Sequence, residues 1–132
     1  MIDEKMKTDL IKLALNSKEK AYAPFSNFKV GAALLTKCGK IFTGVNVENS
    51  SYGLTICAER TAAVKAVSEG CKKFEIIAIA TDSDIPASPC GACRQFLWEF
   101  GNPLVILVNP QGVIKEFMLS ELLPEGFRLN NI

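Results

Sequence analysis

The chain predicts an α/β fold, a three-layer α/β/α sandwich with a mixed five-stranded sheet, and three observations lead there. Ile76-Ile77-Ala78-Ile79-Ala80 is a continuous apolar run of strand length, the pattern of a strand buried on both faces and therefore central to the sheet. Strand-like and helix-like segments alternate around that run, the order of a sheet covered by helices. Two β-rich runs, Phe28 to Thr36 and Ile41 to Val47, are divided by Lys37-Cys38-Gly39-Lys40, with glycine where a tight turn requires positive φ, so an antiparallel hairpin comes first.

The elements follow in order. From Asp3 to about Ala21, apolar residues at Met6, Leu10, Leu13 and Ala14 recur at helical spacing, and the helix must end before Pro24. After the hairpin, Cys57 to Glu69 holds good helix formers and stops at Gly70, a C-terminal cap. Phe74 to Thr81 is the buried strand. Pro86 and Pro89 bracket a loop, Cys90 to Phe100 forms a second short helix ending at Gly101, and Pro103 to Val108 is another apolar strand. Asn109-Pro110-Gln111-Gly112 is turn chemistry, which returns Val113 to Met118 antiparallel, and Ser120 to Leu123 makes a terminal turn before Pro124.

Composition bounds what such a domain can do. The chain has 132 residues, one ordinary domain over 1–132, with 48% apolar and 22% charged residues, the balance of a folded globular protein. Fifteen basic and fourteen acidic residues leave +1, with no block of like charge, which argues against nucleic acid or membrane as partners. The first twenty residues are polar and amphipathic and no run reaches transmembrane length, so a cytoplasmic location is expected. In such a reducing compartment five cysteines argue against a disulfide framework, and one Cys-x-x-Cys pair points to metal or redox chemistry. Cys38, at the hairpin turn, reads as an exposed incidental thiol and Cys71, after the helix cap, as structural filler.

There is no histidine. A catalytic zinc takes three protein ligands and leaves a fourth position for water, and Cys57, Cys90 and Cys93 fit that requirement as thiolates. Both segments follow a strand and open a helix, where unpaired N–H groups and the dipole favour negative charge and lower thiol pKa. Cys90 and Cys93 share one side of a first helical turn. Cys57 and Glu59 stand roughly 200° apart on a helix, so they converge only if Cys57 is the cap and the site lies beyond the helix end, between two facing N-termini. A redox pair or half of a zinc finger are the alternatives for Cys-x-x-Cys. A four-thiolate structural site would need a fourth cysteine close to Cys57, and Cys38 and Cys71 lie in the wrong segments. Three thiolates on Zn²⁺ sum to −1, and Arg60 and Arg94, directly after the two ligand clusters, could donate charged hydrogen bonds to sulfur.

Four stretches then carry a resemblance over nearly the whole chain: residues 21–32, AYAPFSNFKVGA; 46–49, NVEN; 57–62, CAERTA; and 88–95, SPCGACRQ. The chain resembles the cytidine deaminase family, in its small homotetrameric, three-cysteine form. The resemblance implies one zinc per chain on Cys57, Cys90 and Cys93, with Glu59 as the catalytic acid/base. It places Asn46 and Glu48 on the ribose, Phe28 beside the pyrimidine ring, and the Ala58 N–H and Ser88 carbonyl on the base edge. Neighbouring subunits would complete each site through the stretch at Tyr52 and through Phe127, and Arg60 would offset thiolate charge. Ser50 and Ser51 stand where the family pattern suggests alanines, and Gly53 follows Tyr52, which alters the polarity of that wall. The implied reaction is hydrolytic: Glu59 takes a proton from zinc-acidified water, gives one to N3 as the water attacks C4 of cytosine, and passes another to the departing amine.

Three rival readings can be set beside this one. A deaminase of another cytosine compound, such as the aminoacyl-nucleoside blasticidin S, is opposed by Glu48, whose carboxylate suits a plain ribose and would repel a phosphate, disfavouring deoxycytidylate as well. A structural zinc module is opposed by Glu59 and the missing fourth ligand. Editing of RNA or DNA would need a basic and aromatic tract that the chain lacks.

Overall fold

The structure, a computed structural model, describes residues 3–129. Asp3 caps the first helix by accepting a hydrogen bond from the Lys5 N–H at 2.9 Å, and α1 runs over Glu4–Lys18. Its buried residues are Leu10, Ala14 and Lys18; Leu13, expected on that face, lies at its edge and is 36% exposed. The hairpin follows as β1 (Gly31–Thr36) and β2 (Ile41–Val45), with Gly39 at φ 83 in the turn. A 3-10 turn over Tyr52–Leu54 leads into α2 (Ala58–Ser68), which Gly70 closes at φ 88. Then come β3 (Phe74–Ala80), α3 (Gly91–Trp98), β4 (Leu104–Val108), β5 (Ile114–Met118) and the short α4 (Leu119–Leu122).

The sheet order is β2-β1-β3-β4-β5, so the expected central strand is central. Only the β3–β4 pair is parallel among these, and the sheet is therefore mixed. Alternation along the strands sorts side chains onto two faces. Ala33, Leu35, Ile76, Ala78 and Ile106 pack with Leu10 and Ala14 of α1. Leu34, Ile77, Ile79, Val105 and Leu107 pack with Ala62 and Ala66 of α2 and Leu97 of α3. That places one helix on one face and two on the other, the expected three layers.

One close approach aims the site. A Cβ on Gly44 of β2 would stand 2.5 Å from the Ala58 carbonyl and from the Ala62 N, so a glycine here lets α2 lie directly on the sheet. The first turn of α2 is thereby held at the end of β2, close to where β3 also ends. The C-terminal end of the parallel β3–β4 pair is where an α/β sheet opens a crevice, and α2 and α3 present their N-termini there.

Candidate active site

The sulfurs come from three helical positions. Cys57 is the N-cap of α2 (φ −73, ψ 153) and Cys90 the N-cap of α3 (φ −66, ψ 165), while Cys93 lies one turn into α3 and is fully buried. Neither cap side chain accepts from a backbone N–H of its own helix, unlike Asp3, so neither sulfur is spent on capping. All three Sγ atoms lie within 4.8 Å of one another, and Cys90 and Cys93 are 3.5 Å apart. Sulfurs bound at about 2.3 Å to one tetrahedral zinc stand about 3.8 Å apart, so the cluster fits a zinc site.

Its protonation is that of a cation trap. The Cys93 hydrogen bond, helped by the Arg60 guanidinium, pushes the Cys57 thiol down to about 5. The same contact with Cys57, together with burial, pushes the Cys93 thiol up, because neighbouring sulfurs cannot all be anionic without a cation between them. Arg60 donates to Cys57 Sγ at 3.5 Å, and this contact raises its own pKa. Its buried Nε has no partner among the described residues. Arg94 turns elsewhere. Its Nε donates to the Pro89 carbonyl at 2.7 Å, Nη1 to the Leu122 carbonyl at 2.7 Å and Nη2 to Ser88 Oγ at 2.6 Å. Arg94, one of the two arginines weighed as sulfur donors, is therefore a clamp between the ligand loop and α4.

Glu59, in the first turn of α2, is 5% exposed and lies beside the sulfur cluster. Burial pushes its carboxyl up to about 7, which leaves it poised to hold or release a proton near neutrality. It lines a cavity of about 270 Å³ that also takes in Phe28, Asn46, Glu48, Cys57, Ala58 and Ser88. The cavity lies at the crevice that the sheet topology opens.

Another part of the cavity lining is made of a turn and irregular chain before β1 and after β2. Asn46, 8% exposed, accepts from the Val30 N–H and donates to the Phe28 carbonyl, both at 2.8 Å, so it grips the backbone on both sides of Lys29. Glu48 accepts from the N–H groups of Phe25 (2.9 Å) and Ser26 (3.1 Å) and from the Ser26 hydroxyl. The Ser26 hydroxyl and these N–H groups hold the Glu48 carboxyl below its ordinary value. Ser26 Oγ accepts in turn from the Phe28 N–H at 3.0 Å, and Asn27 adopts φ 57 between them. Phe28 stands at the rim, 40% exposed.

Two expected residues stand apart from this cavity. Tyr52, 75% exposed, lies with Phe25, Ser26, Glu48 and Thr55 in an adjoining depression and meets Phe25 edge-on at 5.9 Å. Phe127, 64% exposed, sits with Gln95, Phe96 and Phe100 beside α3 and does not reach the cavity of its own chain. The clamping roles of Ser26 and Arg94 went unseen in the sequence. Ser26 carried a signal, a hydroxyl two residues before Phe28 in a turn, whereas Arg94 carried none, since Leu122 is 28 residues away.

Residues 4–109 match the family described as cytidine and deoxycytidylate deaminase zinc-binding region. The chain belongs to this family. Among its relatives are a probable cytidine deaminase of Dictyostelium discoideum, 59% identical over 89% of this chain and 80% of its own length, and the cytidine deaminase of Halalkalibacterium halodurans, 52% identical over 89% and 91%. The crystal structure of the Burkholderia pseudomallei cytidine deaminase superposes with a TM-score of 0.87 at 49% identity, covering 91% of this chain and 98% of that one. These likenesses make the deaminase-family fold and its zinc chemistry properties of this chain.

Proposed function

We propose that this deaminase-family chain hydrolyses cytidine and 2′-deoxycytidine to uridine and 2′-deoxyuridine, releasing ammonia. The observation that carries this reading is the shared cavity: a buried proton carrier, Glu59, stands beside three convergent sulfurs and faces a wall bearing Phe28, Asn46 and Glu48. Zinc held by Cys57, Cys90 and Cys93 would supply a Lewis acid that brings the pKa of water towards neutrality. Glu59 does the proton work. Its carboxylate takes a proton from the attacking water, delivers it to N3 of the ring, and moves a second to the amine at C4, which leaves as ammonia. The low solvent access around Glu59 keeps those protons on the path between water and base.

Phe28 packs on the pyrimidine, and the Ala58 N–H and Ser88 carbonyl hold the base edge. Glu48 and the remaining hydrogen-bonding capacity of Asn46 hold the ribose. Arg60 offsets the charge of the third thiolate. The exposed aromatic residues Tyr52 and Phe127 support a homotetramer in which neighbours close each site, with one zinc per chain. No helix among the described residues is long and apolar enough to cross a membrane, which supports a cytoplasmic enzyme of pyrimidine salvage acting on free nucleosides. An absorbance assay with cytidine, deoxycytidine, cytosine and deoxycytidylate, run beside zinc analysis, tests the proposal. Turnover of both nucleosides with about one zinc per chain is expected. Failure to turn over either, in zinc-loaded protein, overturns it.

A further inference from the structure

Cys38 and Cys71, the two cysteines outside the sulfur cluster, meet at the end of the sheet opposite the cavity. Cys38 sits exposed in the β1–β2 turn, and Cys71 is 3% exposed just after the α2 cap. Sheet register brings them together. Thr36 pairs with Phe74, and the Lys37 N–H donates to the Lys73 carbonyl at 2.9 Å, so the next residues outward on these antiparallel strands are Cys38 on one side and Lys72 and Cys71 on the other. The backbone fixes Cys71 too: Gly70 at φ 88 turns the chain, and the Cys71 N–H donates to the Ala66 carbonyl at 2.9 Å. That register brings Cys71 close enough to act on Cys38, and its contact together with desolvation holds the Cys38 thiol above its ordinary value. Lys37, Lys40, Lys72 and Lys73 surround the pair in sequence and are all exposed, against Glu69 as the one acid within two residues of either cysteine. The Lys40 charge works against that rise without overcoming it.

We propose that Cys38 and Cys71 are a thiol pair that exchanges with small anionic disulfides, of the class of glutathione disulfide, and closes into an intramolecular disulfide. Cys38, the exposed member, loses its proton and its sulfur attacks one sulfur of the incoming disulfide; that S–S bond breaks and one glutathione leaves as thiolate. Cys71 then loses its proton, and its sulfur attacks Cys38 Sγ, forming the Cys38–Cys71 bond and expelling the second glutathione. Two protein thiols are oxidised by two electrons, one disulfide is reduced to two thiols, and the leaving thiolates take up the two protons. The lysines favour approach of an anionic disulfide. β3, seven residues long, separates the pair from the cavity by about 20 Å, so closure leaves the deaminase site untouched. The new bond ties the hairpin turn to the α2–β3 connection across a long loop and stabilises the fold.

The test treats the zinc-loaded chain, whose Cys57, Cys90 and Cys93 are occupied, with glutathione disulfide and maps unreduced tryptic peptides. A peptide joining Cys38-Gly39-Lys40 to the segment 66–72 is expected, with a Tm raised by about 5 °C and cytidine turnover unchanged. Cys71→Ala should trap a lasting glutathione adduct on Cys38, and Cys38→Ser should leave Cys71 reduced. A lasting adduct on Cys38 of the unsubstituted chain with Cys71 still free overturns the proposal, as does oxidation of Cys38→Ser at the unsubstituted rate. The mapping of the unsubstituted chain decides even if a variant fails to fold, and it does not depend on the enzyme's substrate.

Discussion

Cys57 and Cys90 sit on the caps of two helices packed on a buried sheet, whereas Ser26, Phe28 and Glu48 sit on a turn and on irregular chain tied by side-chain to backbone hydrogen bonds. The first region is set by the core: α2 can lie where it does because Gly44 has no side chain, and Cys93 is itself fully buried. The second is set by local polar contacts at a rim where Phe28 remains 40% exposed. The difference teaches a division of labour. Chemistry is placed on elements that cannot shift without unpacking the sheet, and recognition on a wall whose shape depends on a few hydrogen bonds.

Substitutions on the two sides should therefore fail differently. Cys93→Ser, at the most buried sulfur, should lose zinc and turnover together and lower Tm, read by metal analysis and thermal melts. Glu59→Gln should keep zinc while kcat for cytidine falls by about 10⁴-fold, the scale of a lost general acid/base; a variant that turns over normally removes Glu59 from the proton path. Glu48→Gln should act on the other side, raising KM for cytidine by about 10-fold with little change in kcat, the effect of a weakened charged hydrogen bond.

Arg94→Met joins the two regions, because it frees the loop that carries Ser88 and Cys90 without touching a sulfur. Its kcat should fall by about 10-fold through misplacement of that loop, with zinc retained. If Arg94 served the thiolates instead, zinc affinity would fall and the loop contacts would not matter. The smallest effect concerns pH. The folded protein holds Glu48 below its ordinary 4.5, so the stability this contact adds is fully present above 4.5 and is lost as pH falls through the depressed value. The Tm gap between wild type and Glu48→Gln should accordingly be constant near neutrality and close in acid.

How much of this was legible in sequence divides along the same line. The central strand was readable because Ile76 to Ala80 are buried on both faces, and the hairpin because Gly39 is needed at positive φ. The capping position of Cys57 followed from the geometry of two residues on a helix, whereas Cys90, read as the first helical residue, is the cap one position before it. Contacts that depend on reach or register were not readable. Arg94 bonds a carbonyl 28 residues away, and nothing local distinguishes that from a bond to a neighbouring sulfur. Cys38 and Cys71, read separately as an incidental thiol and as filler, become a pair only once β1 and β3 are aligned. Asn46, placed on the ribose by the resemblance, spends much of its amide on the backbone of Phe28 and Val30, which no local pattern announces.

The division of labour is tested most directly by kcat/KM for cytidine and for free cytosine, measured on wild type and on Glu48→Gln. Wild type should prefer cytidine by about 100-fold or more, because the ribose-side wall is left unpaired by the bare base. Glu48→Gln should lose activity on cytidine while its activity on cytosine stays the same, which narrows the gap. Equal use of the two substrates by wild type, or an equal loss on both in the variant, would contradict the account.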